Sequence, residues 1–387
     1  MKLEDAIDFR LGSQQVSFAT ENATQFTFWC ALALTISKVL AGAKKLVKKD
    51  SNTLTLSAAN TFTGGTEIHS GTLAITNATA LGPSGNITFL GGTLQYPTNT
   101  VSTNYAARIK NSTSPVAIEV VTAAHNVVMN SPLDSSNTAG IYKTGVGLLT
   151  SQADNGISGK FESNYGNLIL QGNNANCSEA VSSGASGQIT IYRAGSLGSA
   201  TWKCKSSSGT TIFNHIQINT AIAGFTFSNP IEIDTANGRC GVISQSSNNL
   251  TLSSAVSILG TGTLGYIVFQ NGGSSTQVFT VSGSITGSSL TGGISFRGQG
   301  SSVCTGALNF PGAVLDCNCA TGFWTFFKNA ANSYTQTQIA GTGTGGFKCG
   351  ENDAFLTTKP LNFSNTAANS FDLNGFNQTF AGVYGTS

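Results

Sequence analysis

The stretch Leu54–Tyr96, LTLSAANTFTGGTEIHSGTLAITNATALGPSGNITFLGGTLQY, decides how this chain of 387 residues folds. Its apolar residues come in pairs two positions apart: Leu54 with Leu56, Leu73 with Ile75, and Ile87 with Phe89. This spacing puts both members of a pair on one face of a short strand, and the glycine-rich runs between the pairs indicate turns. No strand here is long enough to bury a core alone, so each needs a copy stacked above and below it.

A motif inside this stretch resembles a known family. The order Leu54-Thr55-Leu56-Ser57, Asn60-Thr61-Phe62-Thr63-Gly64-Gly65-Thr66, Ile68 and Gly71-Thr72-Leu73 is similar to the autotransporter-associated β-strand repeat of bacterial surface proteins. The resemblance implies an all-β fold, a right-handed single-stranded parallel β-helix (a solenoid), exported to the cell surface. The residues expected to carry the repeat are Leu54, Leu56, Asn60, Phe62, Gly64, Gly65, Ile68, Gly71 and Leu73, with Leu148, Leu168 and Leu170 in a second copy and Leu373, Asn374 and Gly375 in a third.

The second and third copies are degenerate. Residues 143–151, KTGVGLLTS, align with residues 49–57 at an offset of 94 (143 minus 49), whereas Gly166–Leu170 aligns with Gly71–Ile75 at 95 (166 minus 71). One inserted residue would reconcile the two offsets, and this alignment predicts that Leu148, Leu168 and Leu170 face inwards. The third copy begins at Asn332 and ends in residues 371–379, FDLNGFNQT, which resemble a D-L-N-G-F-N-Q-T element of the family.

The domain organisation follows from these copies. We expect residues 1–25 to be a capping or poorly ordered segment and residues 26–387 to form one continuous β-helix, repeat-like at 26–96, 143–170 and 332–382. The apolar run 26–40 has two interpretations, a membrane segment or coil strands, and the resemblance of residues 34–48 to the segment that precedes the family's repeat favours strands through Lys49. Residues 177–331 keep the spacing of two without the motif, and coils of roughly 20–30 residues are expected throughout.

Composition excludes several classes of protein. Only 9% of the residues are charged, against about 25% in ordinary globular proteins, yet 40% are hydrophobic, which argues against disorder. A net charge of +2 gives no electrostatic case for nucleic-acid binding.

The eight cysteines include no C-x-x-C pair, so a zinc site is poorly supported. Disulfides are allowed in an exported chain, but we expect most cysteines to be small buried hydrophobes: Cys30, Cys177, Cys204, Cys240, Cys304, Cys317, Cys319 and Cys349.

Catalytic residues are hard to find. The best carboxylate pairs are Glu232 with Asp234 and Glu351 with Asp353, each two apart and so expected on one strand face, exposed to solvent. Asp316 is expected in a turn, where aspartate forms local hydrogen bonds. The chain has three histidines and no G-x-S-x-G elbow. No catalytic, cofactor-binding or metal-binding residue is predicted.

The predicted function is a structural or adhesive cell-surface scaffold, without catalysis and without a cofactor. Host, cell-surface or carbohydrate ligands and self-association are the expected interactions, and membrane attachment is expected only through a translocator outside this chain. No signal peptide is recognisable, and the chain is expected to be a fragment of something longer. Two alternatives stay open: a β-helical lyase or glycosidase, whose carboxylates would converge on one groove, and an ice- or surface-binding solenoid built on Thr-x-Thr ranks such as Thr53 with Thr55 and Thr61 with Thr63.

Overall fold

The computed structural model describes residues 8–11, 14–17, 24–205, 213–219, 222, 224–234, 239–244, 248–260, 266–272, 276–340, 343–363 and 370–385. The chain divides into two compact units, Met1–Ser178 and Glu179–Ser387. In the described residues the regular elements are β-strands and two short 3-10 helices, so the all-β prediction is confirmed. No described helix has the length and hydropathy needed to cross a membrane.

The first unit contains seventeen described strands and a 3-10 helix at Ala106–Arg108. The strands are β1 (Asp8–Leu11), β2 (Gln14–Ser17), β3 (Gln25–Trp29), β4 (Leu34–Ile36), β5 (Ala41–Gly42), β6 (Lys45–Lys49), β7 (Thr53–Leu56), β8 (Thr61–Phe62), β9 (Thr66–Ile68), β10 (Thr72–Ile75), β11 (Ile87–Phe89), β12 (Thr93–Tyr96), β13 (Val116–Val120), β14 (Asn126–Met129), β15 (Ile141–Thr144), β16 (Leu148–Ser151) and β17 (Gly159–Leu170).

Strands of the first unit stack in parallel register. β1 and β2 pair antiparallel, whereas β3, β6, β9 and β11 form one parallel stack and β4, β7, β10, β12 and β13 form another. One inward row of the second stack runs through Leu34, Leu54, Leu73, Leu94 and Ile118. Its members are 19 to 24 residues apart, close to the expected coil length of roughly 20–30 residues.

The pairing of β3 with β6 decides the nature of the apolar run at residues 26–40. Phe26 lies beside Leu46 and Phe28 lies beside Lys48 in parallel register. Phe28 and Leu46 are buried. The prediction that residues 26–49 are coil strands is therefore confirmed.

The second unit contains most of β18 and every later strand, with a 3-10 helix at Ala194–Leu197. The strands are β18 (Cys177–Ile191), β19 (Thr201–Lys205), β20 (Phe213–Ile218), β21 (Phe225–Phe227), β22 (Ile231–Asp234), β23 (Arg239–Ser244), β24 (Leu250–Leu252), β25 (Val256–Leu259), β26 (Tyr266–Asn271), β27 (Phe279–Val281), β28 (Ile285–Thr286), β29 (Gly293–Gly298), β30 (Ser302–Cys304), β31 (Leu308–Asn309), β32 (Val314–Cys319), β33 (Phe323–Phe326), β34 (Thr337–Ile339), β35 (Gly346–Cys349), β36 (Leu361–Phe363), β37 (Ser370–Asp372) and β38 (Val383–Gly385).

The strands of the second unit form three parallel stacks, the first of which ends at β31 while the other two continue to β37 and β38. The first stack is β19, β22, β25, β28 and β31, and the second is β21, β24, β27, β30, β33, β35 and β37. The third contains β20, β23, β26, β29, β32, β34, β36 and β38. Parallel stacking of short strands within each unit confirms the β-helix prediction.

The core of the second unit lies between these three stacks. Residues 177–331 keep the spacing of two, and apolar residues two apart share a buried face of their strand. The buried pairs are Ile189 and Ile191, Phe225 and Phe227, Ile231 and Ile233, Leu250 and Leu252, Ile267 and Phe269, and Phe279 and Val281. Aromatic rings continue the stacking, with the ring centroids of Phe269 and Phe296 5.3 Å apart and those of Phe296 and Trp324 4.7 Å apart. Burial of such rings contributes roughly 25 cal/mol per Å² of apolar surface.

Candidate functional site

The candidate site is the stretch at residues 46–75, which contains parts of two successive coils and carries the predicted motif. Leu54 lies beside Leu73, and Leu56 beside Ile75, in the paired strands β7 and β10. All four side chains are fully buried, and so are Phe62 and Ile68. Thr55 and Ala74 form the alternate row on the same strands. Thr55 is half-buried. Ala74 lies between Leu73 and Ile75, so the spacing of two predicts that it faces outwards, but its neighbours cover it and it is buried.

The outer face of this stretch carries one small charged cluster. Lys45 Nζ lies 2.6 Å from Glu67 Oε1, and His69 Nε2 lies 3.1 Å from Glu67 Oε2. Partial burial raises the pKa of Glu67, but the hydrogen bonds from Lys45 and His69 outweigh it, so the pKa is lowered overall. The side chain of His69 therefore lies at the surface beside Glu67. Ion pairs at a protein surface contribute about 0–1 kcal/mol to stability.

Buried asparagine side chains join successive coils. The backbone N–H of Leu40 donates to Asn60 Oδ1 at 2.8 Å, and Asn60 Nδ2 donates to the carbonyl of Ala80 at 2.7 Å. Asn60 therefore satisfies one backbone group in the coil before it and one in the coil after it. Asn137 also joins coils, accepting from Ser112 N and donating to the Ile109 carbonyl, both in the coil before it.

Lys48 points into the core, which the motif alone did not reveal. It lies in the inward row between Phe28 and Ile68, and none of its surface is exposed. Its ammonium donates to three backbone carbonyl oxygens, those of Lys49 at 2.7 Å, Asp50 at 2.8 Å and Ser70 at 3.1 Å. The first two belong to its own turn and the third to the next coil, so one charge holds two coils together.

Lys143 repeats this arrangement. Its ammonium donates to the carbonyl oxygens of Thr144 at 2.7 Å, Gly145 at 2.6 Å and Tyr165 at 3.1 Å, and it too is fully buried. We call each set of one lysine and three carbonyl acceptors a lysine cage. Every atom of the second cage comes from a residue 95 positions after its counterpart in the first.

Residues with a left-handed backbone conformation shape the turns of both cages. Asp50 has φ 63° and Gly71 has φ 65°, and their counterparts Gly145 and Gly166 have φ 75° and 67°. A Cβ atom at Gly71 would collide with the carbonyl oxygen of Asp50, which is one of the lysine's acceptors. Glycine is required at position 71 for two reasons: it adopts this left-handed conformation without strain, and the backbone of the preceding coil lies too close for a Cβ atom.

Burial disfavours the charged form of both lysines. It lowers the pKa of Lys48, against the opposing influence of Cys30 and Asp50. It lowers the pKa of Lys143 to about 7, against the opposing influence of Glu119. The carbonyl dipoles aimed at each ammonium offset part of this cost.

The lysine cages correct the alignment of the second copy. Lys143 corresponds to Lys48 rather than Lys49, and strand β16 begins 95 residues after β7, so the offset is uniform and no residue is inserted. Leu149 is the fully buried counterpart of Leu54 and lies beside Leu168. The prediction that Leu148 faces inwards is wrong, because Leu148 pairs with Asn167 in the half-buried row. Leu168 and Leu170 are fully buried.

The third copy ends in a turn rather than in a buried strand. Leu373 is 47% exposed. Asn374 and Gly375 follow it with φ 51° and 81°. The Asn374 backbone N–H donates to Asp372 Oδ1 at 2.8 Å, and Asn374 Nδ2 donates to the Cys349 carbonyl at 3.1 Å. These three residues shape a surface turn in which the asparagine again joins two coils.

Arg108 is a further structural residue that the sequence did not single out. Its guanidinium donates to the carbonyl oxygens of Leu81, Gly82, Ser84 and Gly85, at 2.6 to 2.8 Å. The turn that the G-P-S-G run predicted is thus held by one side chain from the next coil. Only the fold brings Arg108 to a turn more than twenty residues before it.

The carboxylate pairs contact a lysine or hold turns. Glu232 and Asp234 alternate with buried residues on β22 and are half-buried. Lys203 Nζ lies 3.3 Å from Glu232 Oε2 and 2.6 Å from Glu179 Oε1. Glu351 and Asp353 were expected on a strand face, but they lie in the turn after β35. There each anchors a turn, accepting from the backbone N–H of Lys328 and of Thr379 respectively.

Asp316 was expected in a turn but lies in strand β32 and is 5% exposed. Its neighbour Ser295 lies beside it in β29. Burial raises the pKa of Asp316 to about 6, more than its hydrogen bond with Ser295 and the charge of Arg297 lower it. Oδ1 of Asp316 has no hydrogen-bond partner among the described atoms.

The threonine ranks are short. Thr53, Thr72 and Thr93 stack in register, but the next rank runs from Thr55 to Ala74 and Gln95. A flat face of paired threonines is therefore interrupted after one coil. Among the described residues no three histidine, cysteine, aspartate or glutamate side chains lie close enough together to hold a metal ion. A shallow cavity of about 150 Å³ beside Asn332 and Phe355 is too small for a drug-sized ligand.

Part of the chain is similar to known proteins. Residues 46–75 match the family model described as Passenger-associated-transport-repeat. A relative named "Adhesin BmaC autotransporter", from Brucella suis biovar 1 (strain 1330), is 43% identical over 74 residues. That segment is 19% of this chain, and the chain spans 2% of the relative's length. No solved structure matches the chain significantly. The stretch that contains Lys48, Asn60 and Gly71 is thus a repeat of the kind found in autotransporter passengers.

Proposed function

We propose that this chain is part of an adhesive, non-enzymatic surface scaffold of the autotransporter passenger type. The observation that carries the proposal is the match of residues 46–75 to a passenger-associated transport repeat, on a stretch whose buried side chains all serve stacking. The name of the relative as an adhesin supports attachment to a surface ligand. We place the chain outside the cell on the same ground.

The physical chemistry of the coils supports a scaffold. Polar groups buried inside the described coils are used between coils: Lys48 and Lys143 on carbonyl groups, Asn60 and Asn137 on backbone amides and carbonyls. The carboxylates that a β-helical glycosidase would need are paired with Lys203 or hold turns. Solenoids of this kind present an extended outer surface whose side chains can vary without altering the core.

A bead assay tests the adhesive part of the proposal. Fluorescent beads coated with the full chain are expected to attach to a monolayer of epithelial cells more strongly than beads coated with albumin. Pretreatment of the monolayer with a glycosidase mixture then distinguishes a carbohydrate ligand from a protein ligand. Attachment no greater than that of albumin beads, on intact cells and on purified extracellular matrix alike, would contradict adhesion.

A display experiment tests the surface part independently. The chain is placed between the signal sequence and the translocator of a characterised autotransporter in a Gram-negative host. We expect it to be digested by protease added to intact cells, as an unrelated displayed passenger is. If the chain stays protected until the outer membrane is permeabilised, then it is not competent as a passenger.

A further inference from the structure

The cysteines at positions 317 and 319 lie on one face of strand β32 and both point into the core. Each is fully buried. The sulfur of Cys317 donates to the sulfur of Cys319, with 3.4 Å between the two atoms, and Cys319 Sγ donates to the carbonyl oxygen of Phe296 at 3.5 Å. Neither Cys317 nor Cys319 is in a disulfide. The fold therefore keeps two thiols in direct contact without a bond between them.

Strand geometry makes a bond between these sulfurs attainable. Residues two apart on a strand have Cα atoms about 6.6 to 6.8 Å apart, at the upper end of the roughly 4.4 to 6.8 Å found across disulfides. The two sulfurs need to approach by about 1.4 Å, from 3.4 Å to the roughly 2.05 Å of a disulfide bond. The Cβ atoms, which on one strand face lie about as far apart as the Cα atoms, must come within about 3.5 to 4.5 Å of each other, so the strand has to shorten. We propose that Cys317 and Cys319 form a reversible dithiol–disulfide site that responds to organic disulfides and, when oxidised, loosens strand β32 from its neighbours.

The exchange balances with an organic disulfide as the oxidant. When the coil opens, a thiolate at Cys317 attacks one sulfur of the oxidant, forms a mixed disulfide and releases one equivalent of the oxidant's thiol. The thiolate of Cys319 then attacks the Cys317 sulfur, forms the Cys317–Cys319 bond and releases the second equivalent. Both protein thiols lose their protons to the solvent or to the departing thiolates, and the oxidant gains the two electrons.

The buried environment of the two thiols allows them to react only when the coil opens. Hydrogen bonding to Cys319 and burial raise the pKa of Cys317, so the closed coil holds thiols rather than reactive thiolates. Reaction therefore follows local opening of the coil, as exchange of buried groups does. Once a mixed disulfide has formed, the second thiol is held beside it at high effective concentration, and ring closure is fast.

Shortening of β32 has a defined structural consequence. Cys317 is in register with Phe296 on one side and Ile339 on the other, through the pairing of β32 with β29 and β34. Both partners are buried. A contracted strand cannot keep its full ladder to both neighbours, so the oxidised chain is expected to lose amide protection at residues 314–319 first.

Mass spectrometry of the folded chain tests the proposal. The full chain is incubated with oxidised glutathione, its remaining thiols are alkylated with iodoacetamide, and it is digested. We expect the peptide with Cys317 and Cys319 to lose the mass of two hydrogen atoms, while Cys30 and Cys349, which unfolding in urea before digestion exposes to iodoacetamide, are alkylated. In Cys319→Ser, the glutathione adduct should instead persist on Cys317, and in Cys317→Ser on Cys319. Dithiothreitol should restore both thiols in the wild type.

The unfolded chain supplies the control. Chain oxidised in urea shows that the reagent can close the pair, and circular dichroism of each serine variant shows whether it folds. If the folded wild type keeps both thiols under conditions that oxidise the unfolded chain, the proposal fails. It also fails if a glutathione adduct accumulates on Cys317 of the wild type, or if amide protection at residues 314–319 is unchanged by oxidation.

Discussion

Lys143 occupies in its coil the position that Lys48 occupies 95 residues earlier (143 minus 48), each with its ammonium on three backbone carbonyl oxygens. The same offset relates Gly71 to Gly166, both in the left-handed backbone region. Two cages at one fixed spacing show that the second copy keeps the internal chemistry of the first although its surface residues differ. The lysine, and not only the leucine rows, defines this coil.

Removal of one cage ammonium should loosen its coil. Lys143→Met keeps the length of the buried side chain but leaves the carbonyl oxygens of Thr144, Gly145 and Tyr165 without their donor. We expect a local loss of about 2–4 kcal/mol, seen as faster amide hydrogen exchange in residues 141–170. The matched control is Lys160→Met, because the Lys160 side chain is 47% exposed. Equal protection in the two variants would show that the cage contributes nothing.

The buried carboxyl of Asp316 should make stability depend on pH. Its folded pKa of about 6 exceeds the unfolded value of about 3.9, so the folded state binds more protons between these values. Stability is therefore fully present below about pH 4 and is lost as the pH rises through 6. Relative to the wild type, Asp316→Asn should gain about 2–3 kcal/mol at pH 8 compared with pH 4.

Urea unfolding measures this difference when it is followed by the fluorescence of the buried Trp324 in chains whose Trp29 and Trp202 are replaced by phenylalanine. Trp324 is a local reporter, since its indole N–H donates to the Arg297 carbonyl at 3.0 Å and Arg297 influences the pKa of Asp316. The wild-type midpoint should fall between pH 4 and pH 8 by more than that of the variant. If the unfolding midpoints of the wild type and the variant change equally between pH 4 and pH 8, ionisation of Asp316 does not affect stability.

Much of the fold follows from spacing, while the buried polar groups do not. Leu54, Leu73 and Ile267 are recognisable because period two allows only one face of a strand to be buried. Lys48 and Asp316 cannot be predicted in this way. Nothing in the local sequence shows that backbone carbonyl groups, one of them from another coil, surround the ammonium of Lys48. Nor does it show that neighbouring residues cover the carboxyl of Asp316. The misplacement of Leu148 has the same origin: two adjacent leucines, 148 and 149, fit the pattern equally well until the lysine fixes the register.

The outer carboxylates should be dispensable. Replacing Glu232 and Asp234 by alanine removes the contact of Glu232 with Lys203 and leaves Lys203 paired with Glu179. Surface ion pairs of this kind contribute about 0–1 kcal/mol, so thermal stability and bead attachment should change little. Polysaccharide cleavage by the wild type that disappears in the double variant would instead make the chain an enzyme.

The most direct test of the stacked-coil scaffold compares Leu73→Asp with Thr55→Asp under limited proteolysis. Leu73 is fully buried beside Leu54, so an aspartate there places an unpaired charge in the core at a cost of several kcal/mol. Thr55 lies in the half-buried row of the neighbouring strand, where a charge remains hydrated. We predict early cleavage in the coils around residue 73 for Leu73→Asp alone, with Thr55→Asp cleaved like the wild type; equal cleavage patterns in the two variants would contradict the inward and outward rows and the β-helix built on them.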